Sequence, residues 1–128
     1  MKKEIIFTKK APMPKGPYSQ AVKAGNLLYV SGQAAVDPKT GKFLAPGDIK
    51  TQTDLVMKNI EEILKAGGSS LENVIKSTVF IDDIGKFNDF NNVYKKYFTK
   101  EPPARSTVEI GHFFEGMCVE IDVIAIVF

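Results

Sequence analysis

Arg105 is the only arginine in a chain that carries sixteen lysines. A guanidinium is a flat fork that grips a carboxylate or phosphate through two parallel N–H···O bonds, whereas an ammonium is a strongly hydrated point charge. A chain that uses lysine wherever charge suffices has reason to keep one arginine where geometry matters, although a single arginine must also fall somewhere. Three polar residues stand where the pattern wants apolar ones. Glu120 sits between Val119 and Ile121, Asn91 falls among Phe87, Phe90 and Tyr94, and Ser31 closes the run LLYVSG beside Gly32, which permits close approach. A buried polar group without a partner costs about 1–3 kcal/mol. Each has a structural reading too: an exposed strand end beside Asp122 for Glu120, a backbone-bonded packing amide for Asn91, turn chemistry for Ser31. Tyr18 follows the Gly16-Pro17 turn on a strand edge, and Thr107 shares a strand face with Arg105.

Other chemistries find little support. His112 is the only histidine and lies in a loop without a partner, and Cys118 is a lone thiol in an apolar strand pattern, which reads as buried and inert. With no second thiol or histidine, no metal site is expected, and no glycine-rich nucleotide cradle is present. The formal net charge is +2, and the lysines spread from Lys2 to Lys100 instead of gathering on one face, which argues against a nucleic-acid partner. The longest apolar run, VIAIVF, is far short of the ~20 residues of a membrane span, and MKKEIIF lacks the apolar core of a signal peptide. The expectation is a cytoplasmic, soluble protein forming one domain over residues 1–128.

The elements that must position these residues follow from punctuation and period. Strand-like runs at 19–23 and 27–32 flank Gly25-Asn26, a tight-hairpin signal. A turn at 37–41 and the Pro46-Gly47-Asp48 signal lead into a helix capped by Asp48, with Leu55, Val56, Ile60, Ile63 and Leu64 at helical spacing and a stop at Gly67-Gly68. A β-branched strand at 74–81 delivers a second cap at Asp82-Asp83. A helix over 84–98 then places Phe87, Phe90, Tyr94, Tyr97 and Phe98 on one face. Pro102-Pro103 forces an extended entry into a strand at 104–110, and a last strand fills 117–128. The order β-β-α-β-α-β-β is an α+β layout, two helices covering one face of a mixed sheet.

In the last strand both alternating sets become apolar: Val119, Ile121 and Val123 on one side, Ile124, Ile126 and Phe128 on the other. A strand apolar on both sides is buried on both. With no third layer encoded, the second face is expected to pack against copies of the same chain in a symmetric oligomer.

Five segments carry a resemblance. GPYSQAV (16–22), VSGQ (30–33), FNNVYKKYF (90–98), PPARSTVEI (102–110) and VEIDVIAI (119–126) together resemble the RidA (YjgF) family of reactive-intermediate deaminases over nearly the whole chain. The resemblance implies a chorismate-mutase-like fold assembled as a homotrimer with a central barrel and clefts between subunits. It also implies hydrolysis of short 2-imino or 2-enamino acids, such as 2-iminopropanoate and 2-iminobutanoate, to 2-oxo acids and ammonia, with no metal or organic cofactor. Arg105 then corresponds to the arginine that grips the substrate carboxylate, aided by the backbone N–H of Thr107, and Glu120 to the acid that positions water. Tyr18, Ser31, Gly32 and Asn91 correspond to cleft residues. His112-Phe113-Phe114 departs from the Leu-Pro pair common in relatives. Two rival functions are a non-catalytic trimer that binds 2-oxo acids and an RNA-acting translation inhibitor. The first would not need the water-holding acid, and the second would show steeply salt-dependent RNA binding.

Overall fold

In the computed structural model, which describes residues 1–128, the helix expected after Asp48 runs Ile49–Ala66 (α1). Asp48 caps it, its carboxylate accepting from Thr51 N at 3.1 Å and Thr51 Oγ1 at 2.7 Å. The Gly67 N–H closes its last turn on Ile63 O at 3.0 Å, and Gly68, at φ 81°, turns the chain away. Val56, Met57, Ile60, Ile63 and Leu64 are wholly buried on its inner face.

The strands are Lys3–Ile6 (β1), Ala21–Ala24 (β2), Leu27–Gln33 (β3), Val74–Ile81 (β4), Ala104–Glu109 (β5) and Val119–Ile126 (β6). They form one six-stranded sheet in the order β1-β2-β3-β6-β4-β5, with β4 and β5 parallel and every other pair antiparallel. β1 lies outside the sequence expectation: KEII is short, charged and has three of its four residues exposed, so its strand character comes from pairing with β2. Between β2 and β3 only Gly25 takes positive φ, at 61°.

The second helix also departs from expectation. Ile84–Lys86 is a 3-10 turn, Phe87–Tyr94 is α-helical (α2), and the chain then tightens through Lys96 N–H on Val93 O and Tyr97 N–H on Tyr94 O. The reason is local. Asp83 accepts from Gly85 N at 2.8 Å and holds an Asx-type turn at the start, and adjacent Asn91 and Asn92 are weak helix formers near the end.

Both helices cover one face of the sheet, where Leu28, Val79, Val119, Ile121 and Ala125 are fully buried. On the opposite face Glu120, Asp122, Ile124 and Ile126 of β6 stay half-buried, and Tyr29 of β3 is exposed. This is the α+β layout read from the sequence, with an apolar face left uncovered within one chain. Gln52 locks the loops above the core. Its side chain is fully buried, donates to Ala45 O and Gly116 O, and accepts from Cys118 N, each at 2.8 Å. Gln52→Leu leaves the buried Cys118 N–H without a partner, while Gly116 O still accepts from Gly47 N and Ala45 O from Asp48 N, and is expected to lower the unfolding free energy by about 1–3 kcal/mol, read from the denaturant midpoint at fixed protein concentration. A change under about 1 kcal/mol would show that water satisfies that N–H.

Candidate active site

Arg105 lies on β5, the outer strand of the sheet. The register Ser77↔Arg105 and Val79↔Thr107 puts Arg105 and Thr107 on the helix-covered face. There α2 offers an aromatic bed. The guanidinium carbon lies 5.4 Å from the Phe87 ring centroid, 5.7 Å from that of Phe90 and 4.9 Å from that of Tyr94. Asn91 accepts from Arg105 Nη1 at 2.8 Å. The aromatic rings and the amide together hold the guanidinium in place. The chain's four ion pairs all use lysine, so the best-placed cation of the protein has no carboxylate of its own. The strand backbone adds donors beside it. Ile110 N–H meets Ile81 O at 3.0 Å, and by the alternation of a parallel ladder the N–H groups of Arg105, Thr107 and Glu109 point to the open edge.

Glu120 belongs to the other face. It pairs with Phe80 across β4 and β6, one residue out of phase with the core positions Val119 and Ile121. A break in register between Val30 and Gln33 on β3 leaves Gly32 against it, where an added Cβ would lie 2.6 Å from Glu120 Oε2. Only glycine lets the carboxylate rest against that strand. Burial pushes the Glu120 carboxyl above its ordinary value, and the negative charge of Asp122 pushes it further; Asp122 is itself raised by burial. Ser31 ties the preceding segment down, donating from Oγ to Ser19 O at 2.6 Å and from N to Gln20 O at 2.9 Å. Tyr18 stands half-exposed on that segment, its hydroxyl accepting from Lys15 N at 3.4 Å. Tyr18, Gly32 and Glu120 border one cavity of about 560 Å³.

The chain therefore gathers the candidate residues into two groups. Arg105, Asn91 and Thr107 form one; Tyr18, Ser31, Gly32 and Glu120 form the other. Because Arg105 and Glu120 face opposite sides of one sheet, no single chain brings the groups to one another. Several contributors carry no sequence signal. Phe87, Phe90 and Tyr94 read as ordinary core at helical spacing, and nothing in it announces an arginine above them. Gln20, buried, holds the cavity wall by accepting from Thr8 N at 2.7 Å and donating to Pro12 O at 2.9 Å. Cys118 is buried with its thiol pushed up by burial, and His112 is exposed in the loop before β6. No helix is long and apolar enough to cross a membrane.

A family described as "Endoribonuclease L-PSP" matches residues 8–127. The chain is 54% identical over 121 residues to a "RutC family protein" of Sulfurisphaera tokodaii, covering 94% of this chain and 96% of that one. It is 41% identical over 124 residues to the mouse protein named "2-iminobutanoate/2-iminopropanoate deaminase", covering 97% and 91%. The crystal structure of E. coli TdcF with bound serine superimposes with a TM-score of 0.89 at 38% identity, covering 96% and 98%.

Proposed function

The chain belongs to the RidA (YjgF) family, whose matching description is Endoribonuclease L-PSP, and from that premise we propose that it hydrolyses 2-imino and 2-enamino acids to 2-oxo acids and ammonia in clefts between the subunits of a homotrimer. The observation that carries this reading is the pairing of an unmatched guanidinium on one sheet face with a raised, half-buried carboxyl on the other. One chain holds the two halves of a site apart. A second copy laid along the uncovered apolar face would bring its β5 edge, with Arg105, over the cavity beside Glu120. The same contact would bury Tyr29, Ile124 and Ile126, which water now reaches.

In such a cleft the fork of Arg105, held by its aromatic bed and Asn91, takes the substrate carboxylate, with the Thr107 N–H as a further donor. The neighbouring C=N carbon is then fixed in front of a water held by Glu120. Glu120 accepts a proton as the water oxygen bonds to that carbon, giving a tetrahedral amino alcohol. That proton goes to the nitrogen to complete the amino alcohol, and the hydroxyl then gives its own proton to the nitrogen as its oxygen forms the C=O bond and the C–N bond breaks, so that ammonia and the 2-oxo acid leave. Water supplies the oxygen and both hydrogens that balance the reaction. An enamino acid enters as its imine tautomer.

The test generates 2-aminoacrylate in situ by dehydrating serine with a pyridoxal-phosphate enzyme and follows pyruvate and ammonia, while sedimentation counts the copies in solution. Faster pyruvate release from a three-copy species is the expected result. RNA cleavage without any acceleration of imine hydrolysis would replace the proposal with the activity the family description names. Gly32→Ala supplies a sharper probe. The added methyl displaces the flexible end of Glu120 and not the backbone, so turnover is expected to fall tenfold or more with the melting temperature nearly unchanged. Unaltered turnover would mean the carboxylate works from another position.

A further inference from the structure

Two buried hydroxyls lie beside the Arg105 fork, and neither the packing of the core nor the chemistry above accounts for them. Ser77 of β4 is fully buried in one row with Val79 and Ile81, where the other members are apolar. Its register partner on β5 is Arg105 itself. Tyr94 of α2 reaches the same place from the helix layer. It is buried, its ring is packed between Phe90 and Phe98 at centroid distances of 5.2 and 4.8 Å, and its centroid is 4.9 Å from the guanidinium carbon. Neither Ser77 Oγ nor Tyr94 Oη makes a hydrogen bond within the chain. A buried hydroxyl without a partner is costly, and alanine and phenylalanine would fill the two places without that cost. Burial pushes the Tyr94 hydroxyl up, while Ser77 and then the Arg105 guanidinium pull it back, so both lie close enough to act on it.

The three groups have complementary hydrogen-bonding capacities. A guanidinium only donates, and a single N–H of Arg105 is engaged, by Asn91. A tyrosine hydroxyl accepts one hydrogen and donates another, and a serine hydroxyl takes that one and passes its own to a strand carbonyl. Resting on the imine-hydrolysing reading above for the identity of the bound carboxylate, we propose that Tyr94 and Ser77 are positioning residues for Arg105. When a carboxylate loads the fork, a free N–H of Arg105 donates to Tyr94 Oη, and Tyr94 donates in turn to Ser77 Oγ. Hydrogen bonds in catalytic sites are often long before the ligand binds and tighten in the complex. Each link polarises the next, so the chain strengthens as the guanidinium is drawn to its ligand. The carboxylate stays on the fork throughout the reaction, so these bonds stabilise ground state and transition state alike and set KM more than kcat.

Tyr94→Phe keeps the ring, its stacking and its volume and removes the hydroxyl alone; Ser77→Ala cuts the second link. Calorimetry with pyruvate is the first readout, with a Kd about tenfold higher expected for Tyr94→Phe and a severalfold rise for Ser77→Ala. With 2-aminoacrylate generated in situ, KM should rise by the same factors and kcat stay within about twofold of the parent. The melting temperature should be unchanged or higher, because each variant removes a costly buried hydroxyl. The double variant should bind pyruvate no more weakly than Tyr94→Phe, since the chain is already cut at its first link. Parental Kd and KM in both single variants would overturn the proposal, making water the partner of both hydroxyls, and would leave the deaminase intact. A weaker Kd together with a clearly lower melting temperature would also overturn it, assigning the pair a merely structural role. A parent that binds pyruvate without accelerating imine hydrolysis would bring down the deaminase reading, while the Kd comparison would still decide the role of the pair. A parent that does neither would bring down both.

Discussion

Arg105→Lys is expected to lose nearly as much imine-dependent oxo-acid release as Arg105→Ala. The variant keeps the charge, so an electrostatic account alone would have it work. What it loses is the fork. Arg105 Nη1 is committed to Asn91 and the guanidinium carbon lies among the rings of Phe87, Phe90 and Tyr94, while its other N–H groups make no hydrogen bond within the chain. An ammonium at that position stacks poorly and offers a carboxylate one contact in place of two parallel ones. Losing one charge-assisted bond and the orientation it enforces costs about 3 kcal/mol, or roughly 10²-fold in kcat/KM. The stability of both variants should stay close to the parent, since Arg105 is half-buried at an outer strand and no carboxylate is left unpaired by its removal. A lysine variant with parental kcat/KM would show that charge suffices and that the sixteen-to-one choice of lysine over arginine is an accident.

Glu120→Gln is expected to bind 2-oxo acids normally and to turn over about 10²–10⁴-fold more slowly, the usual contribution of a positioned base. The pH dependence follows from the direction of the shift. Burial, and then Asp122, raise the Glu120 carboxyl, and the base acts only when deprotonated, so the rate of the parent protein falls on the acid side at a pH above the ordinary glutamate range. Asp122→Asn removes the neighbouring negative charge and should move that acid limb to lower pH. In Glu120→Gln the limb should vanish. Subunit mixing tests the assembly itself. Arg105→Ala and Glu120→Gln are each inactive alone, but in trimers re-formed from an equal mixture about a quarter of the clefts would combine an intact Arg105 from one copy with an intact Glu120 from the next. Recovery near that fraction is expected; no recovery would mean that the two residues serve the same cleft from the same chain, or no shared cleft at all.

The local elements were legible in the sequence because their causes are local. Asp48 and Gly67-Gly68 bracket α1 through hydrogen bonds within a turn of themselves, and the alternation over Val119–Ile126 gave β6 and its two apolar faces. Where the cause was a distant partner the reading fell short. β1 is a strand only because β2 is there to pair with it, and α2 is shorter than its aromatic period because turn chemistry at Asp83 and the paired asparagines overrule that period. The odd polar residues could be picked out one by one, since a polar side chain in an apolar pattern is visible in any window. Their grouping was not visible. Which face of the sheet each would occupy depends on the register of β4 with β5 and with β6, and register is set by packing across the whole core. One residue of phase places Arg105 over the aromatic bed and Glu120 beyond the sheet. Sequence identified the chemical groups; the tertiary structure alone decided that they lie on opposite faces, because side-chain direction in a sheet alternates with every residue and only the assembled strands fix the phase.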